Sequence, residues 1–444
     1  MTNDYRLTTN MNIPYTQHTL DNGLRVIVHE DHRLPMVAVN IWYHVGSKNE
    51  HPGRTGFAHL FEHLMFEGSQ HHDGSYFHPL QDAGASLNGS TNADRTNYWE
   101  VVPTNAFELA LWMESDRMGY LLPALTVQKF ENQRDVVLNE RRQNYENRPY
   151  GLATMAIAGA LFPPHHPYHW PTIGETADLK AATFEEVRAF FQTYYHPSNA
   201  SLVVAGDIDT AEAVERVRAY FGDIPPGPKP LPIDAVAGPI SEKRLILEDR
   251  VELPRLYLAW PSPAMFSEGD AEMDLLSDLV ANGKVSRLYT SLVYERRIAS
   301  EVMAVQSSRE LAGFWQLVAT AAPGHTLREL DEAIDAELSR LFDAGPTAEE
   351  IERGRAQTEA QFVHRLQTLG GFGGKADQLN AYGVFLNDPG FFERDLARYQ
   401  RLSADQLHRA AITYLSRSQR LALSVVPKGK PSLALPDSEP AVVS

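Results

Sequence analysis

Apolar residues alternate over Val37, Val39, Ile41, Tyr43 and Val45, the period of a strand with one face on a core. Leu256, Leu258 and Trp260 repeat the alternation in the second half of the chain. Elsewhere the apolar period lengthens to that of a helix. Such runs cover 105–120, 126–147, 184–195 and 210–221, then 270–281, 327–342, 348–369 and 404–414. Each half opens with strands, continues with helices and returns to a strand, at 201–205 and 421–425. The pattern predicts an α+β fold in which helices pack on largely antiparallel sheets.

The two halves look alike. Arg25-Val26-Ile27-Val28 leads after five residues to Leu34-Pro35, and Arg244-Leu245-Ile246-Leu247 leads after five to Leu253-Pro254, an offset of 219 throughout. Thr193-Tyr194 matches Thr413-Tyr414 at an offset of 220. A constant offset of this size marks an internal repeat. Between the halves lies Pro225-Pro226-Gly227-Pro228-Lys229-Pro230-Leu231-Pro232, the composition of a semi-rigid linker. The expected organisation is two homologous domains, 1–224 and 243–444, joined by a linker over 225–242. Gly370-Gly371-Phe372-Gly373-Gly374 follows a helical run rather than a strand. It therefore reads as a hinge or helix cap, not a phosphate cradle.

Composition narrows the classes. The chain has 444 residues, 43% hydrophobic and 22% charged, as in folded soluble proteins of more than one domain. Lys and Arg number 40 against 57 Asp and Glu, a net charge of −17. No basic stripe is available for phosphates, which argues against nucleic acid. There is no Cys, so disulfides, thiolate metal sites and Cys nucleophiles are excluded. No run is long enough to span a membrane. The stretch from Met1 to Gln17 is polar and lacks a signal-peptide pattern. The expected compartment is the cytoplasm, or the periplasm if a signal has been removed.

The chemistry concentrates at His59-Leu60-Phe61-Glu62-His63. Residues i, i+3 and i+4 share one face of a helix, so His59 and His63 point the same way with Glu62 beside them. Two imidazoles one turn apart suit one zinc ion, and Glu62 is placed to act as base toward a water activated by the metal. The order H-x-x-E-H inverts the commoner H-E-x-x-H motif and is the inverzincin signature. Phe57, Leu60, Phe61, Leu64 and Met65 make the other side apolar, and Gly68 offers a stop. The competing reading is two core histidines and a satisfied glutamate. A third ligand must come from His or carboxylate, and the helical run 126–147 carries Glu131, Glu140 and Glu146.

With these residues the chain resembles the pitrilysin (M16) metallopeptidases, and within them the mitochondrial-processing-peptidase-like subfamily. The resemblance spans 15–430. It implies that Glu140, 77 positions beyond His63 in Asn139-Glu140-Arg141-Arg142, is the third ligand of one zinc per chain. It also implies that Gly84-Ala85-Ser86-Leu87-Asn88-Gly89-Ser90-Thr91 and Asp94-Arg95-Thr96-Asn97-Tyr98 form an edge-strand region, with Asn88, Gly89 and Ser90 binding peptide substrates by strand addition. From its residues alone, Asn88-Gly89 reads as a turn. His165-His166-Pro167-Tyr168-His169 sits among prolines and resembles a family loop with no ligand role.

Two departures stand out. The family carries an arginine and a tyrosine seven residues apart in its second half, donors for the substrate and the developing oxyanion. Aligned on Ser286, Arg287, Leu288 and Leu292, this chain has Val293 and Ser300 in those places. Tyr294 or Arg296 would serve only after a register shift. Gln133 stands where many relatives carry a glutamate. The resemblance therefore implies a zinc endopeptidase subunit with Glu62 as general base. Its partner is expected to be a homologous chain that lacks the zinc motif and supplies the arginine and tyrosine. The alternatives are a self-sufficient homodimeric peptidase and a non-catalytic scaffold; the intact His59, Glu62, His63 and Glu140 speak against the last.

Overall fold

The computed structural model describes residues 11–443; residues 1–10, part of the polar stretch at the start of the chain, and Ser444 lie outside the described residues. The first half begins with β1 (Thr16–Thr19), β2 (Arg25–Glu30), β3 (Met36–Tyr43), α1 (Phe57–Leu64), α2 (Phe77–Asp82), β4 (Ser86–Thr91) and β5 (Thr96–Pro103). It continues through α3 (Phe107–Ala124), α4 (Val127–Arg141), α5 (Ala153–Leu161), α6 (Thr176–Ala181), α7 (Phe184–Tyr194), β6 (Ala200–Gly206) and α8 (Thr210–Phe221). Residues 225–242 carry no helix or strand. The second half runs β7 (Lys243–Asp249), β8 (Arg255–Ser262), α9 (Asp270–Val280), β9 (Ala299–Ser307), β10 (Gly313–Ala321) and α10 (Leu327–Ala344). It closes with α11 (Ala348–Gln367), α12 (Lys375–Leu386), α13 (Phe392–Gln400), α14 (Ala404–Tyr414), β11 (Leu421–Pro427) and β12 (Glu439–Pro440).

Among the described residues the strands form two six-stranded sheets, β1-β2-β6-β3-β5-β4 and β12-β7-β11-β8-β10-β9. Both are mostly antiparallel, as the α+β pattern predicts. The repeat reappears as matching pairings: β2 runs parallel to β6, with Val26 opposite Leu202, and β7 runs parallel to β11, with Leu245 opposite Leu423. β4 and β9 occupy equivalent free edges. No described helix is long and apolar enough to cross a membrane.

The alternation in β3 predicts one covered face, but both faces are covered. Val37, Val39, Ile41 and Tyr43 face the first core, with α1, α3, α7 and α8. The intervening Ala38, Asn40 and Trp42 are buried as well, beneath α12 from the second half. The second sheet is treated reciprocally. Its outer residues Tyr257, Ala259, Leu423 and Val425 pack against Ala153, Ala156, Ile157 and Leu161 of α5 from the first half. Shifted by the repeat offset, α5 falls on 372–380, overlapping α12. Equivalent helices are thus exchanged between the two sheets, and each half covers the other's outer face.

Candidate metal centre and edge strand

Helix α1 is held at its start by a carboxylate from outside it. Glu50 is buried and accepts from the backbone N–H groups of Gly56 (2.9 Å) and Ala58 (2.8 Å), satisfying donors that a helix start leaves open. Phe57, Leu60, Phe61 and Leu64 enter the first core. Phe61 packs on Phe191 and Tyr195, and its carbonyl accepts from the Tyr98 hydroxyl (3.3 Å). The remaining face carries His59, Glu62 and His63. Helix α4 lies beside it, with Phe130, Gln133, Val137 and Glu140 at helical spacing along one stripe.

Glu140 Oε2 lies 3.7 Å from His59 Nε2 and 3.3 Å from His63 Nε2. Among the described residues, these three form the one set of His and carboxylate groups whose ligand atoms all lie within 4.8 Å of one another. Ligands bound at about 2.1 Å in a tetrahedron stand roughly 3.4 Å apart, so the set suits a zinc-sized ion with one position open. Glu131 is exposed, and Glu146 pairs with Arg141 (3.2 Å); neither faces the histidines. A π-helical turn over Arg142–Glu146 follows α4 and brings the Asn144 amide to Glu140 Oε1 at 3.2 Å.

The electrostatics divide the roles. Burial, together with the neighbouring His63, lowers the His59 pKa to about 4, so that ring is neutral and ready to ligate. Its Nδ1 is buried without a hydrogen-bond partner. Burial also works against charge on His63, but Glu140, Glu62 and Gln133 outweigh it and raise its pKa. Glu140 is lowered, chiefly by its bond to His63. Glu62 is raised by burial, against the Thr91 hydroxyl and the charges of His63 and Arg95. A carboxylate raised in this way suits a general base near neutral pH. Gln133 donates to Glu67 (2.8 Å) beside His63.

Asn88, Gly89 and Ser90 lie in the edge strand β4, opposite Trp99, Tyr98 and Asn97 of β5. The turn reading of Asn88-Gly89 is overturned. Glycine is needed there for space: a Cβ would stand 2.9 Å from Tyr98 Cδ1 and 3.1 Å from Phe66 Cε2. The Gly89 N–H is met by Asn88 Oδ1 (2.8 Å). Arg95 lies over the Trp42 ring and donates to the Ser90 carbonyl (2.9 Å) and hydroxyl (2.6 Å). The sequence reading missed Glu50, and it placed Thr91 and Arg95 in the edge-strand region without giving either a role at the site. Glu50 precedes α1 and the other two lie in the β4–β5 hairpin, and no local period marks their contacts.

The His165–His169 cluster stays apart from the metal set. His166 is buried against Phe162, and the Tyr168 hydroxyl donates to Asp94 (2.5 Å). In the second half, Val293 packs against the second core and Ser300 donates to the Thr320 carbonyl (3.3 Å). A π-helix over Tyr289–Glu295 leaves Tyr294, Arg296 and Arg297 exposed, with Arg297 at φ +56°.

The family model for insulinase (peptidase family M16) matches residues 25–163, and that for the peptidase M16 inactive domain matches 181–358. Zinc protease PqqE of Helicobacter pylori is 27% identical over 423 residues, covering 92% of each chain. The probable mitochondrial-processing peptidase subunit beta of Arabidopsis thaliana is 24% identical, over 78% of this chain and 66% of its own. The crystal structure of a protease from Helicobacter pylori matches with a TM-score of 0.86 at 25% identity, over 94% of this chain and 100% of that one.

Proposed function

The chain belongs to the M16 peptidase family, and on that premise we propose that it is a zinc-dependent endopeptidase subunit acting on extended peptide segments. The observation that carries the reading is the convergence of His59, His63 and Glu140 beside Glu62. It is supported by the name zinc protease borne by the Helicobacter pylori relative. His59, His63 and Glu140 would hold the ion. Zinc, when bound, supplies a Lewis acid for the scissile carbonyl and lowers the pKa of water. Glu62 takes the proton of the attacking water and returns it to the leaving amine. Strand β4 binds the peptide as an added strand, through main-chain hydrogen bonds that do not depend on the peptide's sequence.

The test is metal content and peptide cleavage together. About one zinc per chain is expected. Glu62→Gln keeps the metal and abolishes hydrolysis; Glu140→Ala loses both. A full site in Glu140→Ala, or an empty one in Glu62→Gln, overturns the assignment of roles.

Val293 and Ser300 leave this chain without the family's donor pair, and one missing oxyanion donor costs about 10²–10³ in rate. The reading therefore includes a partner: a homologous chain lacking the zinc motif and carrying the arginine and tyrosine. The relative named as a subunit beta supports it. Cleavage measured while such a chain is titrated in should rise to a maximum near equimolar. A second reading, the homodimer, is favoured by the exposed Tyr294, Arg296 and Arg297. A π-turn holds more residues per turn than an α-turn, so it carries Tyr294 toward the face that Val293 would occupy. Full activity of the chain alone, lost in Tyr294→Phe or Arg296→Ala, selects that reading.

A further inference from the structure

The glycine-rich segment 370–374 joins α11 to α12, but it does more than connect them. Its backbone lies flat on the outer face of the first sheet. A Cβ on Gly370 would stand 2.5 Å from Val101 Cγ2 and 2.8 Å from Ala38 Cβ. Gly371 and Gly373 take φ of +78° and +73°, conformations that other residues rarely adopt. The Gly373 N–H is tied to Asp377 (2.8 Å), which also accepts from the indole of Trp42 (2.9 Å). The loop is thus pinned to the sheet, and Phe372 stands edge-on to Trp99 at 5.6 Å with half of its surface exposed. The indole N–H of Trp99 is buried without an acceptor.

Trp99 pairs directly with Asn88 in the edge strand. Side chains alternate between the faces of a strand. Leu87, Gly89 and Thr91 face α1, whereas Ser86, Asn88 and Ser90 face outward. These outward residues are small beside Trp99, which is half-buried, and Phe372 keeps half of its surface exposed. A peptide added to β4 would place every second side chain on that outer face, about 10 Å (two strand spacings) from the β5 backbone. A large side chain leaning inward over Asn88 would cover about half of that distance, and a ring standing on β5 would have to cover the rest.

Resting on the peptidase reading above, we propose that Trp99 and Phe372 wall a specificity subsite for an aromatic or large aliphatic side chain of the bound peptide. The second half, which has no metal ligands, thereby contributes directly to substrate choice through a residue on the face of the sheet away from the metal helix.

The experiment uses the full chain with Glu62→Gln, so that binding is read without hydrolysis. Labelled ten-residue peptides of Ala, Ser and Lys carry a single Phe moved along the sequence, and anisotropy gives each Kd. The expected result is tightening of about tenfold at the Phe position that falls beside Asn88 and Trp99 on the outer face, the size of an aromatic contact plus its burial, and none at the positions on either side of it, whose side chains face α1. The ratio of Phe to Ala peptide affinities should fall toward one in Phe372→Ser and be restored in Phe372→Tyr, with thermal unfolding confirming the fold of each. A Phe preference unchanged in Phe372→Ser overturns the subsite while leaving the peptidase reading standing. Absence of binding by every peptide, both to the chain alone and after the homologous partner is added, overturns both, because the edge strand itself is then not used.

Discussion

Gly89 shows how one residue ties the edge strand to the metal helix. A methyl group there would press on Tyr98 and Phe66, and Tyr98 donates to the carbonyl of Phe61 inside α1. Overpacking of this kind costs about 1–3 kcal/mol. Gly89→Ala should therefore lower the urea midpoint and also reduce cleavage, because the displaced ring moves the turn that carries Glu62 and His63. An unchanged midpoint and rate would show that the rings make room without cost. His59 makes a related point. Its unpartnered Nδ1 lacks the orienting bond that metal-binding histidines usually have, so packing, with His63 and Glu140 on its other side, holds its ring.

At the scale of elements, α1 depends on Glu50. The carboxylate meets at least two backbone donors in a buried place, and removing one partner of a buried hydrogen bond costs about 1–3 kcal/mol. Glu50→Ala should destabilise the protein by this order and shorten the half-life of bound zinc against a chelator. Glu50→Gln, which keeps an acceptor, should recover part of both. Equal zinc half-lives in wild type and Glu50→Ala would mean that the cap does not position the ligands. Several elements were legible in sequence for physical reasons. Helices α8 and α14 fall where the predicted runs lie, because each alternates apolar and polar residues at the helical period over three turns. Helix α5 is apolar almost all round and short, and α12 is buried on several sides. Neither presents a stripe, and both were missed.

At the scale of the molecule, the exchanged helices make the halves interdependent. Expressed alone, 1–242 would leave Ala38, Trp42, Val203 and Ala205 uncovered. It is expected to aggregate, and to become soluble when 243–444 is co-expressed. Cooperative unfolding of the isolated segment would contradict this. The halves are also clamped by charge. Burial alone would raise Glu310, but the bond from His44 and the charge of Lys48 outweigh it and hold the carboxyl at about 2. A carboxyl whose folded pKa lies below its ordinary value stabilises the fold above that value and loses the contribution as pH falls through the folded pKa. Glu310→Gln should cost roughly 2–3 kcal/mol at pH 7. The difference from wild type should shrink below pH 4 and nearly vanish at pH 2, as read from urea midpoints. A pH-independent difference would assign the effect to packing.

The sequence alone determined the common face of His59, Glu62 and His63, the period of the long helices and the twofold repeat. These follow from backbone geometry over a few residues, or from a constant offset, and both are written locally. The choice of Glu140 over Glu131 and Glu146 came through the family resemblance, and the structure brings Glu140 alone to the histidines. Only the tertiary structure decided that Asn88-Gly89 is strand rather than turn, that Glu50 caps the metal helix and that Arg95 anchors Ser90. It alone placed Phe372 beside Trp99, 273 positions away in the chain. Contacts between distant segments depend on which surfaces remain uncovered once the sheets have formed, and an exchanged pair of helices is decided only at that stage.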